Sequence, residues 1–385
     1  MSIGNGARPL RVHVVTPFGT SRTTGGAEKW LFTLLGAARG LEARVEVLQE
    51  GPFAAELRDA GIPVEVRPTG PRPRDVAASA LGLARRLRRD RPDVLLGNGV
   101  KAQLVAVGAG LLTGVPTVWA KHDHSFDARL AVPLGRLSHA VVAAVEELGE
   151  PVRRPDVVVV PPPAVGEPPA SRDEARRHLA TLGLGWDERP TLVMAGRLVP
   201  YKGVDDAVSA LAHPGAESWR LVVIGADDHS SPGETDRLQR LARSVGVADR
   251  VTWMPPVDRL SHWLAAFDAL AVLTKPAGRR TPGKEGFGTV AFEAMVAGVP
   301  VVAGTAGATT RRLAGRAGVA VPSADPVAVA AALGRLASPA TRAEMGAAAR
   351  EIVRGHPGPE ECAELLVRTL ADAAGRRRPA ARSVS

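Results

Sequence analysis

The sequence is poor in cysteine and in long apolar runs. The chain of 385 residues contains one cysteine, Cys362. A single thiol excludes an intrachain disulfide and a cysteine-based zinc site, which fits a reducing compartment. The longest apolar runs, such as Leu104–Leu112 and Ala140–Val145, fall well short of the roughly 20 residues that span a bilayer. Met1 to Pro9 lacks the basic-then-apolar pattern of a signal peptide, so we expect a cytoplasmic protein.

Aromatic residues are scarce, and the excess positive charge is confined to two segments. Aromatic residues make up 4% of the chain, and the net charge is +9. Most of that excess lies in Ser79–Arg91, with five arginines and one aspartate, and in the tail Gly375–Ser385, with four arginines and no acid. Neither segment contains aromatic residues on which bases could stack. We therefore expect no nucleic-acid partner.

The alternation of short apolar strands with helices predicts an α/β protein with two doubly wound, parallel, Rossmann-like sheets. One series of strands begins at Arg11–Thr16 and a second begins at Thr191–Ala195. Prolines concentrate between them at Pro161–Pro163 and Pro168-Pro169, which favours a linker there. The predicted parts are an N-terminal domain (1–165), a second domain (166–350), a C-terminal helix that returns to the first domain (351–374) and a disordered basic tail (375–385).

The most informative segment is Glu285–Val302, EGFGTVAFEAMVAGVPVV. Its first glycines allow the backbone to approach a ligand closely, and a helix is predicted to begin at Gly288 or Thr289, where its free N–H groups attract anions. Gly298 has the position of a helix-ending glycine, and Pro300 prevents continuation of the helix. The segment therefore combines an anion-binding helix start with two carboxylates, Glu285 and Glu293.

The segment from Glu285 to Glu293 resembles the Glu-x7-Glu motif of retaining glycosyltransferases with the GT-B fold, most closely glycosyltransferase family 4. The resemblance covers most of the chain. Further matching segments are Gly25-Gly26-Ala27-Glu28, Gly196-Arg197-Leu198, Tyr201-Lys202-Gly203, Val223-Ile224-Gly225 and Asp249-Arg250-Val251. The resemblance implies two Rossmann-like domains that face each other across a cleft. The first (1–165) would bind the acceptor, and the second (166–350) would bind the nucleotide sugar.

The resemblance also implies a role for each matching residue. Arg197 and Lys202 would stabilise the nucleoside diphosphate leaving group, for which a guanidinium and an ammonium are suited. His122, in the sequence Lys121-His122-Asp123-His124, would reach the donor sugar near its anomeric centre. Glu285 would hold hydroxyls of the transferred sugar and is the fourth catalytic candidate, with Arg197, Lys202 and His122. The other candidates would bind the nucleotide sugar: Glu293 through the ribose, and the loops containing Gly25, Gly26, Gly286, Phe287 and Gly288.

Other interpretations remain open at this point. A dinucleotide-dependent oxidoreductase needs a Gly-x-Gly-x-x-Gly turn after the first strand, and the loop Thr16–Gly26 does not supply that spacing. A nucleotide-sugar-binding protein or a sugar-nucleotide epimerase would share the same fold. The spacing of His122, Asp123 and His124 is also compatible with a metal site, and His124 is an alternative to His122 as the functional histidine. Because the chain has no Asp-x-Asp motif, we expect no metal and no cofactor other than the nucleotide-sugar co-substrate.

The expected mechanism is a front-face displacement that retains the anomeric configuration. The acceptor hydroxyl attacks from the side on which the diphosphate departs, and a phosphate oxygen takes its proton, so no side-chain base is needed. The acceptor is expected to be a natural-product aglycone or a precursor of a cell-surface glycan or glycolipid. Its identity would be set by the loops Thr16–Gly26 and His122–Arg129.

Three features depart from the family pattern or fall outside it. Arg311 stands where an acid is common, and the loop Lys275–Lys284 is longer and more basic than usual. Ser79–Arg91 is a basic helix, and its leucines are expected to face the sheet with only the charges outside. We therefore expect at most weak peripheral contact with an anionic membrane, at its inner face.

Overall fold

A computed structural model describes residues 8–17, 19, 25–164, 168–228, 230–276, 284–305, 307–313 and 315–376. Most of the basic loop between Lys275 and Lys284, most of the loop between Thr16 and Gly26, and the tail arginines beyond Arg376 lie outside the described residues. Among the described residues, no helix has the length and apolar content required to cross a bilayer.

The chain divides into two compact units, and Met1–Val165 together with Pro357–Ser385 forms the first. Its described strands form one parallel sheet in the order β3-β2-β1-β4-β5-β6-β7. The strands are β1 (Leu10–Thr16), β2 (Leu41–Val47), β3 (Val64–Val66), β4 (Val94–Asn98), β5 (Thr117–Lys121), β6 (Ala140–Ala143) and β7 (Val157–Val159). The helices are α1 (Gly26–Ala37), α2 (Pro52–Asp59), α3 (Pro73–Asp90), α4 (Val100–Thr113), α5 (Val132–Leu137), α6 (Glu146–Gly149) and, at the C-terminal end, α15 (Pro359–Gly375).

The second unit, Gly166–His356, contains a parallel sheet in the order β10-β9-β8-β11-β12-β13. Its strands are β8 (Thr191–Ala195), β9 (Arg220–Ile224), β10 (Val251–Met254), β11 (Ala269–Val272), β12 (Val301–Gly304) and β13 (Gly318–Val321). Its helices are α7 (Arg172–Thr181), α8 (Val204–Ala210), α9 (Glu234–Ser244), α10 (Leu260–Trp263), α11 (Thr289–Ala297), α12 (Ala308–Leu313), α13 (Pro326–Arg335) and α14 (Pro339–Val353). These two sheets confirm the predicted doubly wound α/β class.

Each sheet reverses its strand order once, and that reversal determines where a ligand can bind. In the first unit the reversal lies between β1 and β4, and in the second between β8 and β11. In open parallel sheets the crevice for ligands lies beyond the carboxyl ends of the strands at such a reversal. The loops that follow β8 and β11 contain Arg197, Lys202 and Glu285, three of the predicted catalytic residues.

The C-terminal region differs from the single helix predicted over 351–374. Helix α14 ends at Val353, and a separate helix α15 spans Pro359–Gly375. Gly355 has a φ of +79°, and Pro357 follows it closely, so the chain cannot remain helical between the two helices. Helix α15 packs against α1, and its Leu366 and Leu370 are buried in the core of the first unit.

The orientation of α3 also differs from the prediction. Ala84 and Leu87 face the core as expected, but Leu81 is exposed, and Leu83 takes the inward position instead. An α-helix advances 100° per residue, so Leu81 and Leu83 lie on nearly opposite sides of it. The expectation that all leucines of this helix face the sheet is therefore wrong.

Candidate functional site

A lysine and a glutamate that are distant in sequence meet at the strand reversal of the second unit. Lys202 Nζ donates a hydrogen bond of 2.8 Å to Glu285 Oε2. Lys202 ends a short 3-10 turn after β8, and Glu285 lies in the segment between β11 and α11. Thr274, just beyond β11, donates a second hydrogen bond of 2.6 Å to the same oxygen. The two predicted catalytic residues therefore form one ion pair.

The surroundings of Glu285 keep its carboxylate charged. Burial by itself raises the pKa of Glu285, but the charge of Lys202 and the hydrogen bonds from Lys202 and Thr274 outweigh it, and the pKa falls below its usual value. Arg197 contributes to this lowering through its charge. A carboxylate held in this form accepts hydrogen bonds, which suits contact with sugar hydroxyls and does not suit a general acid.

Arg197 is fixed by an aspartate and a tyrosine. Its Nη1 donates to Asp228 Oδ2 at 2.8 Å, and its Nη2 donates to Tyr201 Oη at 3.3 Å. Burial alone would raise the pKa of Asp228. The hydrogen bonds from Ser230 and Arg197 outweigh this effect and lower the pKa to about 2. The Arg197 side chain remains 40% exposed, against 4% for Asp228. The guanidinium is therefore oriented by a buried anion and still reaches solvent, where a phosphate could meet it.

The turn before α11 requires glycine for steric reasons. Gly288 precedes Thr289, the first residue of α11, with a φ of +74°. A Cβ at Gly288 would lie 2.2 Å from Thr309 Oγ1, so both the backbone angle and the available space exclude a side chain. Gly298 closes the helix with a φ of +73°, as predicted from its position. The predicted start and end of α11 are both confirmed.

Arg312 holds the same turn and was not identified from the sequence. Its Nη1 donates to the Phe287 carbonyl oxygen at 2.8 Å, and its Cζ lies 4.0 Å from the centre of the Phe287 ring. Burial lowers the pKa of Arg312 to about 10. The adjacent Arg311, which departs from the family pattern, is exposed. The sequence shows two adjacent arginines, Arg311 and Arg312, but it does not show which of them turns inward.

The first lysine of the long basic loop is held by two aspartates. Lys275 Nζ lies 2.9 Å from Asp205 Oδ1 and 2.8 Å from Asp206 Oδ1, both on α8. The backbone N–H of Lys275 also donates to the carbonyl oxygen of Tyr201. Lys275 therefore fixes the stem of the loop and does not add a cation for an acidic substrate.

In the first unit, three polar side chains form a chain across the carboxyl ends of β1, β4 and β5. Asn98 Nδ2 donates to Thr16 Oγ1 at 3.2 Å, and Asn98 Oδ1 lies 2.5 Å from His122 Nε2. With Asn98 in this orientation, His122 carries its proton on Nε2, which leaves Nδ1 as an acceptor. The Trp30 ring meets the His122 ring edge-on at 4.8 Å. Burial and the charge of Lys121 lower the pKa of His122 to about 3.

His124 belongs to a different set of contacts. Its Nδ1 lies 2.9 Å from Asp127 Oδ2, and the buried Lys121 contacts the other oxygen of Asp127 at 2.7 Å. His122 and His124 therefore have separate partners. Among the described residues, no group of three or more histidine, cysteine, aspartate or glutamate side chains is arranged to hold a metal ion.

The predicted site residues are distributed over both units. Arg197, Lys202, Glu285, Gly286, Phe287, Gly288 and Glu293 belong to the second, with Glu293 partly buried on α11, whereas Gly25, Gly26 and His122 belong to the first. Gly25 caps α1, and a Cβ there would lie 2.2 Å from the Glu28 carboxylate. Sequence reasoning missed Thr274, Asp228 and Asn98, which hold the predicted residues in place.

Two family descriptions match most of the chain between them. The one described as Glycosyltransferase Family 4 matches residues 24–168, and the one described as Glycosyl transferases group 1 matches residues 189–338. The match over 189–338 lies within the second unit. The match over 24–168 lies within the first unit except for its last three residues, 166–168. The two matches follow the same division as the two sheets.

Curated relatives extend the similarity. A D-inositol 3-phosphate glycosyltransferase from Xylanimonas cellulosilytica is 37% identical over 257 residues, covering 63% of this chain and 59% of its own. A GDP-mannose-dependent alpha-(1-6)-phosphatidylinositol monomannoside mannosyltransferase from Mycobacterium tuberculosis is 38% identical over 193 residues, covering 48% of this chain and 47% of its own. The chain thus spans about half the length of the curated relatives it matches.

Solved structures share the fold. HepE from Anabaena in complex with UDP-glucose superposes with a TM-score of 0.79 at 22% identity, covering 94% of this chain and 99% of that one. WaaG, a glycosyltransferase involved in lipopolysaccharide biosynthesis, gives a TM-score of 0.69 at 17% identity, covering 93% and 99%. At these identities the likeness concerns the fold alone. The structural likeness shows the GT-B fold, and the two family matches over residues 24–168 and 189–338 show that the chain belongs to glycosyltransferase family 4.

Proposed function

We propose that the protein is a retaining glycosyltransferase that transfers a sugar from a nucleotide-sugar donor to an acceptor hydroxyl without a metal ion. The observation that carries the proposal is the meeting of Lys202 with Glu285 at the strand reversal of the second unit, under the charge of Arg197. This arrangement places two cations and a fixed carboxylate at the position where open parallel sheets bind ligands.

The two cations suit a departing diphosphate. As the glycosidic bond breaks, negative charge develops on the leaving phosphate oxygen, and preorganised donors stabilise it. Lys202 uses one N–H for Glu285 and has two more to offer, while Arg197 is aimed by Asp228. The N-terminus of α11 adds the positive end of a helix dipole. The proton of the acceptor hydroxyl passes to the departing phosphate oxygen, so no side-chain base takes part.

The two carboxylates and the histidine bind the donor through hydrogen bonds and do not transfer protons. Glu285 accepts hydrogen bonds from hydroxyls of the transferred sugar, and Glu293 accepts them from the ribose. The low pKa of His122 keeps its ring neutral, so that it binds a donor-sugar hydroxyl through the acceptor Nδ1. The roles of Glu285 and His122 follow from the family resemblance and from the protonation states that their surroundings favour, and the role of Glu293 follows from the resemblance alone.

For the acceptor we propose a polyhydroxylated ring of the cyclitol class. The support is the names of relatives, among them D-inositol 3-phosphate glycosyltransferases from Acidothermus cellulolyticus and Streptomyces scabiei, which are 38% identical to this chain over 200 and 222 residues. An aminocyclitol aglycone and an inositol-containing glycolipid both fall within this class.

The test is incubation with a panel of UDP- and GDP-sugars, with and without cyclitol acceptors, measuring released nucleotide and the mass of the products. We expect acceptor-dependent release of nucleoside diphosphate and a product with the anomeric configuration of the donor, read from NMR coupling constants. Binding without turnover would indicate a nucleotide-sugar-binding protein, and an altered sugar nucleotide without nucleotide release would indicate an epimerase. Inversion at the anomeric carbon would contradict the front-face mechanism.

A further inference from the structure

Arg312 is a partly buried arginine without a carboxylate partner. Its contacts are the Phe287 carbonyl oxygen, at 2.8 Å from Nη1, and the face of the Phe287 ring, whose centre lies 4.0 Å from Cζ. Within the part of the chain that the structure describes, Arg312 forms no ion pair, and burial alone accounts for its lowered pKa. A charge withdrawn from water is unfavourable unless an opposite charge balances it. The free protein therefore carries an uncompensated guanidinium.

Other arginines of the second unit have balanced charges or more hydrogen bonds. Three of them pair with acids at 2.7–2.8 Å: Arg197 with Asp228, Arg172 with Asp268 and Arg237 with Glu234. Arg250 has no acid, but its two terminal nitrogens donate to four carbonyl oxygens. Arg312 donates to one carbonyl oxygen only. Its surroundings therefore stabilise the charge less than those of the other arginines do.

The position of Arg312 adds to the unfavourable electrostatics. Phe287, whose carbonyl it holds, is followed by Gly288, the N-cap of α11. The guanidinium thus lies beside the positive end of the helix dipole, which disfavours a cation and stabilises an anion. At the other end of α11, Arg350 donates to the Ala297 carbonyl oxygen at 3.0 Å, and that end favours a cation. The two arginines therefore stand in opposite electrostatic relations to the same helix.

The segment that carries Arg312 packs directly against the turn before α11. Gly307 and Glu285 form an isolated parallel bridge, and a Cβ on Gly307 would lie 2.4 Å from the Glu285 carbonyl oxygen. A Cβ on Gly288 would lie 2.2 Å from Thr309 Oγ1. The backbones are therefore in close contact at two points, and Arg312 adds a third connection from α12 to the same turn.

We propose that the diphosphate of the nucleotide-sugar donor is the anion that balances Arg312, and that Arg312 is a positioning residue acting through the turn at Phe287 and Gly288. The inference rests on the proposed donor site at the start of α11. In the free protein, the guanidinium and the positive end of the helix dipole repel each other. A diphosphate at the start of the helix attracts both, and the hydrogen bond to Phe287 keeps the turn in place, so that the first N–H groups of α11 remain available to the phosphate.

The absence of a carboxylate beside Arg312 fits this role. An acid paired with Arg312 would stabilise the free protein but would cancel the positive potential at the start of α11. Sites that bind charged ligands commonly keep such an unfavourable arrangement at the expense of stability. Arg312 should therefore affect donor affinity and protein stability in opposite directions.

The experiment measures nucleotide binding and stability on the full chain. Calorimetry gives the Kd for UDP and for GDP at neutral pH, and urea unfolding without nucleotide gives the midpoint. Arg312→Met removes the charge, Arg312→Gln removes the charge but keeps a donor for the Phe287 carbonyl, and Arg312→Lys keeps both. The matched control is Arg350→Met, which removes an arginine–carbonyl hydrogen bond from the other end of the same helix.

We expect Arg312→Met and Arg312→Gln to weaken binding of the nucleoside diphosphate by about tenfold, and Arg312→Lys by less than about threefold, since the attraction is that of a nearby cation in a partly buried site. Arg312→Met should not lower the urea midpoint, because it removes an uncompensated charge. Arg350→Met should show the reverse, with a lower midpoint and an unchanged Kd, because it removes a cation from the end of the helix that favours one.

Three outcomes would contradict these expectations in different ways. An unchanged Kd in Arg312→Met and Arg312→Gln would overturn the inference and leave the proposed function intact. Equal losses of affinity in all three Arg312 variants, together with lower urea midpoints, would also overturn it, because Arg312 would then only hold the fold. Absence of UDP and GDP binding by the unmodified protein would instead contradict the proposed donor site itself.

Discussion

Lys202 and Arg197 are the residues on which the proposed chemistry depends most. Replacing either with alanine should lower kcat by about 10²–10³, the usual effect of removing one preorganised charge donor at a developing anion. The measurement is steady-state release of nucleoside diphosphate in the presence of acceptor. Arg240→Ala, which removes an exposed arginine on α9, serves as the charge control and should leave kcat unchanged.

Replacing Lys202 should also change the pH dependence of activity, which a simple loss of one positive charge would not do. Without Lys202, Glu285 loses its ion-pair partner in a buried position, and the pKa of Glu285 should rise. The Lys202→Ala enzyme should therefore lose further activity as the pH falls toward 5, more steeply than the unmodified enzyme. Near-normal turnover of either alanine variant would remove that residue from the site.

His122 provides a pH test that does not depend on identifying a substrate. Its pKa is about 3 in the folded protein, against an ordinary value of about 6.5. Between these values the unfolded chain binds a proton that the folded chain does not, so the free energy of unfolding falls as the pH drops. Replacing His122 with glutamine, which can still donate to Asn98, removes this proton uptake.

The expected difference appears on acidification. From pH 7 to pH 5, unmodified protein should lose about 1–2 kcal/mol more stability than His122→Gln, measured by urea unfolding. Equal losses in both proteins would mean that His122 titrates near its ordinary pKa and that the ring is not held as the structure shows.

At the residue scale, the sequence predicted the local backbone of the α11 segment but not the contacts that join it to other segments. Glu285, Gly288 and Gly298 are local features whose spacing limits the backbone, and the structure confirms where α11 begins and ends. The Lys202–Glu285 pair joins residues 83 positions apart, and no local pattern predicts it. Whether Arg311 or Arg312 turns inward depends on the exact start of α12, which sequence patterns do not determine to within one residue.

At the scale of secondary structure elements, α3 is anchored by a buried ion pair. Arg86 on α3 reaches Glu46 on β2 at 2.5 Å, and His13 on β1 lies 3.6 Å from the same carboxylate oxygen. Burial raises the pKa of Glu46, but the hydrogen bond and charge of His13 and the charge of Arg86 outweigh it, and the net pKa is lowered. The Glu46 carboxylate is therefore charged and buried, and its charge is stabilised by Arg86 and His13.

Removing Arg86 should accordingly destabilise the protein. Arg86→Ala leaves a buried carboxylate without its main partner, which typically costs about 3–5 kcal/mol in the free energy of unfolding. Arg85→Ala, one position earlier on the exposed side of α3, should change it by less than about 0.5 kcal/mol. Urea unfolding of both variants makes the comparison, and similar effects would contradict the inward orientation of Arg86.

The elements that the sequence predicted are those with a strong apolar pattern. The strands predicted at Arg11–Thr16 and Thr191–Ala195 are present as β1 (Leu10–Thr16) and β8 (Thr191–Ala195), because buried parallel strands are rich in apolar residues. Strand β13 and helix α14 were missed: β13 has only four residues, and α14 is rich in alanine and exposed residues that give little periodicity. Strand β12 begins at Val301, since Gly298 and Pro300 occupy the turn that follows α11.

At the scale of the whole molecule, most of the net charge of +9 lies in Ser79–Arg91 and the tail, outside the candidate donor site, so the charges of that site are considered by themselves. In the second unit, Arg197 and Lys202 are each held by one carboxylate, Asp228 and Glu285, and these carboxylates stay charged at neutral pH. A metal ion at this site would have to compete with the two cations for the same carboxylates. In the proposed mechanism, Arg197 and Lys202 take the electrostatic role that a metal ion would otherwise have.

We accordingly expect activity to survive chelation. Turnover after treatment with excess EDTA should remain within about twofold of the untreated value, because Arg197, Lys202 and the start of α11 can perform the electrostatic role of an ion. The measurement is acceptor-dependent nucleotide release before and after chelation, followed by addition of Mg²⁺ or Mn²⁺. Complete loss that either ion restores would contradict the metal-independent mechanism. A metal at His122, Asp123 and His124 would then also require both rings to leave their present partners, Asn98 and Asp127, and that rearrangement would be visible as a metal-dependent shift in the histidine NMR signals.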